Sequence, residues 1–127
     1  MSKQKPFRLG NLQLAIMRAL WSGGPATVAD VQRVLPDRAL AYTTVATMLR
    51  KMEERGLVAH DKHGRTFVYR PLVQQHDVRQ GMAGDLLDRL FAGSVSSLVS
   101  HLLSDRDIGR DELEKLESLI ADQRNRQ

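Results

Sequence analysis

A cluster of threonines and basic residues near the middle of the chain has the chemistry of a nucleic-acid-binding surface. Thr43, Thr44 and Thr47 carry hydroxyls that exchange hydrogen bonds with phosphates and base edges, and methyl groups that pack on thymine. Arg50 and Lys51 follow in the same stretch and suit guanine edges or phosphates. Threonine is a poor helix former because its branched Cβ loses rotamer freedom, so helix stability does not explain the cluster.

The segment that positions this cluster is predicted to be an amphipathic helix from about Ala41 to Arg55. At roughly 100° per residue, the threonines and basic residues fall opposite a single apolar arc. That arc consists of Val45, Met48, Leu49 and Met52. Gly56 is suited to the left-handed conformation that ends many helices. We therefore expect the cluster to face solvent.

Two other interpretations of the same residues are open at this point. Thr43 or Thr44 could simply cap the helix, since threonine is a good N-cap residue. Arg50 and Lys51 could belong to a solvated charged face and pair with the glutamates that follow them.

Two helices are predicted before this segment. The first runs from about Asn11, as its N-cap, to Ser22. The second begins at Thr27, with the carboxylate of Asp30 three residues later as in a capping box. It ends at a proline after a short apolar series: Val28, Val31, Val34 and Leu35.

A β-hairpin is predicted after the cluster. The β-prone runs Leu57–His63 and Thr66–Arg70 flank a glycine, with Arg65 at the tip, where it suits phosphate or a narrow minor groove. Three helices followed by a hairpin form the winged-helix version of the helix-turn-helix motif. A basic N-terminal arm would add sequence-independent affinity: Lys3, Lys5 and Arg8.

Charge and apolar pattern divide the chain. Residues 1–71 contain 12 Lys/Arg against 5 Asp/Glu, whereas residues 72–127 contain 7 against 10. The basic part suits a polyanion.

The acidic part is helical and carries more apolar stripes than so small a unit can bury alone. We expect a winged-helix DNA-binding domain at 1–72 and an α-helical dimerisation domain at 73–127, on a palindromic target. Alternatively, the last helices fold back on their own winged helix.

Composition excludes several function classes. The chain has no cysteine, so thiolate metal sites and disulfides are excluded. There is no transmembrane-length apolar run and no signal-peptide pattern, so a cytoplasmic protein is expected. No phosphate-binding or nucleophile motif is present, and His60 and His63 have only Asp61 nearby as a third ligand. We predict no enzyme activity, no metal and no cofactor.

Several segments also carry a family likeness. In chain order they are Ile16–Trp21, Ala41–Val45 with Thr47 and Leu49, Arg55–Val58, Gly64–Tyr69, Asp88–Gly93, Ser96–Val99 and Asp111–Arg126. Through their order and spacing, the chain from about Leu9 to Arg124 resembles the BlaI/MecI/CopY family of bacterial transcriptional repressors. The resemblance implies a homodimer with interlocking C-terminal helices, which represses a neighbouring operon from operators with TACA/TGTA-type half-sites.

The resemblance also implies site residues. Thr43, Thr44, Thr47 and Lys51 match positions that the family uses at the DNA, and Arg65 matches its wing. The copper-responsive branch carries Cys-x-Cys motifs, which this chain lacks.

In the β-lactam-responsive branch, which controls antibiotic resistance, a membrane sensor-protease triggers repressor cleavage at an Asn-Phe bond. At the corresponding position this chain has His101 and Leu102 in place of Asn and Phe, so it departs from that pattern. Cleavage between them is a hypothesis.

The sequence thus predicts a mainly α fold with a small β-hairpin: an N-terminal winged helix-turn-helix and a C-terminal helical dimerisation region. The predicted function is that of a homodimeric repressor. The alternatives are a winged-helix regulator of another class with a ligand-responsive dimer domain, and a winged-helix protein-interaction module.

Overall fold

The computed structural model describes residues 7–37 and 39–127. In the described residues, three helices precede a two-stranded hairpin and three more follow it. The elements are α1 (Asn11–Gly23), α2 (Val28–Val34), α3 (Tyr42–Glu54), β1 (Val58–His63), β2 (Thr66–Pro71), α4 (Gln75–Phe91), α5 (Val95–Asp105) and α6 (Arg110–Asn125). The predicted mainly α fold with an N-terminal winged helix is confirmed.

The core of the first unit lies among α1, α2, α3 and the hairpin. Its largest fully buried side chains are Ile16, Met17, Leu20, Val31, Leu35, Val45, Leu49, Met52, Val58 and Val78. Burial of such a side chain stabilises the fold by about 1.5–3 kcal/mol. This packing holds α3 by its apolar face and leaves its opposite face outside.

Local sequence explains how α2 and α3 begin and end. The Thr27 hydroxyl accepts from the backbone N–H of Asp30 at 3.1 Å, so the predicted cap of α2 is confirmed. At the end of α3, Gly56 has φ +80°, and the N–H of Leu57 donates to the carbonyl of Met52 at 3.0 Å. Only glycine adopts such a φ without strain, which explains the stop after Glu54.

The cap of α1 differs from the prediction. Gly10, not Asn11, occupies the N-cap position. The side chain of Gln13 reaches back and accepts from the Gly10 N–H at 2.9 Å. This backward hydrogen bond satisfies a free donor of the first turn without an Asn side chain.

The hairpin, called the wing below, is antiparallel and pairs His63 with Thr66 beside its tip. A single residue before α2 extends it: Ala26 and Tyr69 exchange two backbone hydrogen bonds of 2.9 and 2.7 Å. This bridge ties β2 to the entry of α2 and fixes where the wing lies on the helices.

The second unit begins within α4. The chain divides into one compact unit that ends at Ala83 and another from Gly84 to Gln127. The first turns of α4 belong to the first unit, because Val78 is buried in its core. The indole Nε1–H of Trp21 also donates to the backbone carbonyl of Val73 at 2.9 Å. In the second unit, α5 and α6 contain no buried residue.

Every helix in the part of the chain that the structure describes is too short or too polar to cross a membrane.

Candidate nucleic-acid interface

The outer face of α3 carries the residues that the sequence singled out: Thr43, Thr44, Thr47, Arg50 and Lys51, here called the α3 stripe. All are exposed except Thr47, which is half-buried. Val45, Leu49 and Met52, on the inner face, are fully buried. The helix is therefore anchored rigidly while the α3 stripe is presented to solvent.

The threonines of the α3 stripe do not cap the helix. The N-cap residue is Ala41, and no side chain makes a capping hydrogen bond there. Thr43 and Thr44 sit in the first turn, inside the helix. The alternative in which they serve only as caps is therefore wrong, and their hydroxyls remain available to a ligand.

The basic residues of the interface are not neutralised by neighbours. Within residues 7–37 and 39–127, no ion pair involves Arg50, Lys51 or Arg65. Glu53, one possible partner, instead lies 2.8 Å from the ring Nδ1 of His60. In the described residues, neither Arg50 nor Lys51 therefore lies within ion-pair distance of Glu53 or Glu54, contrary to that alternative.

Arg65 lies at the tip of the wing, as predicted. Gly64 beside it has φ +64°, a conformation that tight turns demand and glycine tolerates. A groove of about 630 Å³ runs between the wing, α3 and the start of α2, and both Arg50 and Arg65 line it. Side chains from two separate elements thus line one concave surface.

Sequence reasoning missed two aromatic residues of this surface. Tyr42, the first residue of α3, is 52% exposed, and Phe67 on β2 is 43% exposed. Both line the groove. For Tyr42, the available signal in the sequence was its position directly before the threonines. For Phe67 there was none, because a phenylalanine in a β-strand is ordinary and its neighbours in the chain do not show whether the side chain will be buried.

A set of side-chain contacts joins the end of α3 to the wing. The ring of His60 stacks on Phe67 with centroids 4.2 Å apart and lies against the carboxylate of Glu53. Both contacts of the His60 ring are thus with other side chains of the protein. His63, at the end of β1, is exposed. In the described part of the chain, no group of three or more His, Cys, Asp or Glu side chains is placed to hold a metal ion.

Two groups near the interface have displaced pKa values. Hydrogen bonds from Thr27, with help from Arg33, lower the pKa of Asp30, which keeps the α2 cap ionised. Burial raises the pKa of Tyr69, and the negative charge of Glu53 acts in the same direction.

The remaining predicted site residues lie elsewhere. His101 and Leu102 are in the middle of α5, both exposed. The Nε2 of His101 lies 3.2 Å from the carboxylate of Asp105 one turn later. Lys3 and Lys5 of the predicted basic arm lie outside the described residues, whereas Arg8 is described and exposed.

Comparison with known proteins decides the family. The family model described as penicillinase repressor matches residues 9–122. This chain belongs to the penicillinase repressor family. The predicted resemblance is thereby confirmed, and so is the prediction that the protein is a regulator rather than an enzyme.

Individual relatives agree with this assignment. The chain is 33% identical over 118 residues to the transcriptional regulator BlaI of Mycobacterium tuberculosis (strain ATCC 25618 / H37Rv), covering 91% of this chain and 84% of that protein. It is 24% identical over 120 residues to the penicillinase repressor of Bacillus licheniformis, covering 94% of each chain.

One solved structure adds a comparison of folds. The solution structure of the DNA binding domain of the repressor BlaI is 26% identical, with a TM-score of 0.50, over 59% of this chain and 93% of that chain. The similarity covers the length of a winged-helix domain rather than the whole chain. It shows that the N-terminal unit has the fold of that domain.

Proposed function

We propose that this protein is a homodimeric transcriptional repressor that binds a palindromic operator with TACA/TGTA-type half-sites. The observation that carries the proposal is the α3 stripe, a hydroxyl-rich and cationic face without internal partners, on a helix held by a buried apolar face. Such a helix fits the major groove, where hydroxyls and methyl groups distinguish base pairs.

Each residue of the interface has a proposed role. The threonines of the α3 stripe read base edges and thymine methyl groups, and Thr47 is closest to the middle of the helix. Lys51 contacts phosphate, and Arg65 reaches the backbone or the minor groove from the wing. We propose that residues 1–72 form the domain that binds DNA and that residues 73–127 form the domain that pairs with a second copy of the chain.

Dimerisation is supported by the exposed apolar side chains of the second unit. They are Leu86, Leu90, Val95, Leu102, Leu103, Leu113, Leu119 and Ile120, each at least 40% exposed. A surface so rich in large apolar groups marks an interaction site in a folded protein. A second copy of the same unit would cover it and place two α3 helices on one side of the DNA.

The proposed function is tested by separating specific from non-specific binding. Thr47→Ala should lower the preference for operator over random DNA by roughly 1–3 kcal/mol, since a base contact is lost. Arg65→Ala should weaken binding to both DNAs about equally, because phosphates are the same in every sequence. Fluorescence anisotropy with both duplexes measures each effect. An unchanged preference in Thr47→Ala would show that α3 does not read the operator in this way.

We further propose that a β-lactam-responsive sensor-protease pathway ends repression by cleavage between His101 and Leu102. The bond lies in a helix without buried side chains, and such a segment opens locally at low cost. Cleavage there would remove α6 and part of the apolar surface, and separated subunits would lose the benefit of binding two half-sites together. Mass spectrometry of the protein after β-lactam treatment tests this: an intact chain during derepression contradicts cleavage.

A further inference from the structure

The outer half of the wing extends beyond the core of its unit. Every residue from Asp61 to Phe67 is exposed, whereas Val58 and Tyr69, in the inner half, are buried. A hairpin of two strands is at best marginally stable in water by itself, so strand pairing alone does not hold its tip in one place. The position of Arg65 relative to α3 therefore depends on contacts between the wing and the helix.

His60 makes such contacts on both sides of its ring. Its Nδ1 lies 2.8 and 3.0 Å from the two carboxylate oxygens of Glu53, in the last turn of α3. The ring also stacks on Phe67, with centroids 4.2 Å apart and 25° between the ring planes. Phe67 is two residues from Arg65 in the chain. Glu53, His60 and Phe67, called the wing brace below, thus connect the end of α3 to the outer half of the wing.

Hydrogen-bond chemistry fixes the orientation of the His60 ring. An ionised carboxylate can only accept hydrogen bonds, so the proton lies on Nδ1 and is donated to Glu53. The side chains of His60 and Glu53 are only 32% and 31% exposed, so the hydrogen bond is partly shielded from competing water. A ring held by a carboxylate at one atom and by Phe67 on its face keeps a single orientation.

The other polar connections of the wing do not reach α3. Arg70 and Asp61 form an ion pair of 3.0 Å that joins one strand of the wing to the other. The backbone bridge between Ala26 and Tyr69 ties the inner half of the wing to the entry of α2. Among the residues that the structure describes, the contact of His60 with Glu53 is the one hydrogen bond between α3 and a strand of the wing.

We infer that His60 is a positioning residue for DNA binding: through Glu53 and Phe67 it holds the tip of the wing at a fixed place relative to α3. The inference rests on the proposed function, in which α3 and Arg65 bind the same duplex. A tip that is already held in place loses less conformational freedom on binding than a free tip does, so preorganisation by the wing brace increases affinity. His60 itself does not have to touch DNA.

The first test needs no DNA. Amide hydrogen exchange is measured on the full-length wild type, Glu53→Ala and Glu54→Ala. Glu54 is the matched control, because it is the exposed last residue of α3 and forms no ion pair within residues 7–37 and 39–127. Glu53→Ala should speed exchange in the outer half of the wing about 10-fold, since one charge-assisted hydrogen bond is lost, and Glu54→Ala should not. Unchanged exchange in Glu53→Ala would refute the wing brace.

The second test asks whether the wing brace acts through Arg65. Fluorescence anisotropy with the operator compares Glu53→Ala, Arg65→Ala and the double variant. Glu53→Ala should weaken binding about 10-fold, although loss of a negative charge near DNA would by itself strengthen binding, and Glu54→Ala should not weaken it. In the Glu53→Ala background, Arg65→Ala should add little further loss. Fully additive losses would mean that Glu53 and Arg65 act independently, which would overturn the inference.

Two more variants separate the hydrogen bond from general stability. Glu53→Gln keeps a side-chain oxygen that accepts from His60, so it should bind DNA much more tightly than Glu53→Ala does. His60→Phe keeps a ring against Phe67 but loses the hydrogen bond, so it should bind as weakly as Glu53→Ala. Glu53→Gln as weak as Glu53→Ala would contradict the role of the hydrogen bond. A wild type that does not distinguish operator from random DNA would instead refute the proposed function, whereas the exchange measurement would still test the wing brace.

Discussion

The salt dependence of operator binding provides a quantitative test of the interface, through removal of Arg65. The chain presents Arg50, Lys51 and Arg65 without internal ion pairs among the described residues. Each phosphate neutralised by such a cation releases counterions. In a plot of the logarithm of the association constant against the logarithm of the salt concentration, each contact therefore changes the slope by about −0.9. Three contacts on each of two protomers therefore predict a slope of about −5.4 for the proposed dimer.

That slope translates into a large change in affinity. Between about 50 and 200 mM salt, the wild-type dimer should lose about 2,000-fold in affinity for the palindrome. Arg65→Ala removes one contact per protomer, so its slope should be about −3.6 and its loss about 150-fold. A single protomer on a half-site should show a slope of about −2.7 and a loss of about 40-fold, which makes the same titration a measure of dimeric binding.

The assay is fluorescence anisotropy of a labelled operator at several KCl concentrations, with Arg70→Ala as the matched control. Arg70 lies on the same hairpin, but its guanidinium donates to the carboxylate of Asp61 at 3.0 Å and is already neutralised. Arg70→Ala should therefore leave the slope nearly unchanged. A wild-type slope retained in Arg65→Ala, or an equal change in both variants, would refute the assignment of Arg65 to a phosphate.

Three further predictions concern the assembly and the stability of the fold. Leu119→Glu places a charge at a position that is 63% exposed in the single chain, so it should leave the fold intact but convert a dimer into monomers in sedimentation experiments. Ser118→Glu, off the apolar stripe of α6, should leave the dimer intact. If Leu119→Glu remained dimeric, the dimer contact would lie elsewhere. Because burial raises the pKa of Tyr69, its ionisation is harder in the folded state than in the unfolded state, so stability should fall as pH rises through and above 10.0. Tyr69→Phe should flatten this decline in melting temperature. Leu49→Ala should destabilise the first unit by about 2–5 kcal/mol in urea unfolding, since it leaves a cavity at a fully buried position; a smaller effect would indicate that the core collapses around the site.

Much of the fold could be read from local pattern. The period of α3 placed its buried and exposed faces correctly, and Thr27 and Gly56 marked a helix start and a helix end where the structure has them. These features depend on neighbours within one or two turns. The roles of the individual residues at DNA stay predictions.

Local pattern failed where distant contacts decide the outcome. Val34 continues the apolar period of α2, yet it is 62% exposed. Within the described residues, the side chains of α1 that lie near Val34 leave an open concavity there and do not bury it. The pairing of His60 with Glu53 was equally invisible, since it requires the wing to lie against the end of α3.

Local sequence was sufficient for the order of the elements and for the exposed, hydroxyl-rich face of α3, because helix period and turn chemistry act over a few residues. The groove beside that face required the folded chain. Ala26 must meet Tyr69 to dock the wing, and only then do Tyr42, Arg50 and Arg65 line one surface. Such contacts join residues far apart in the chain, and no local period encodes which of them will meet.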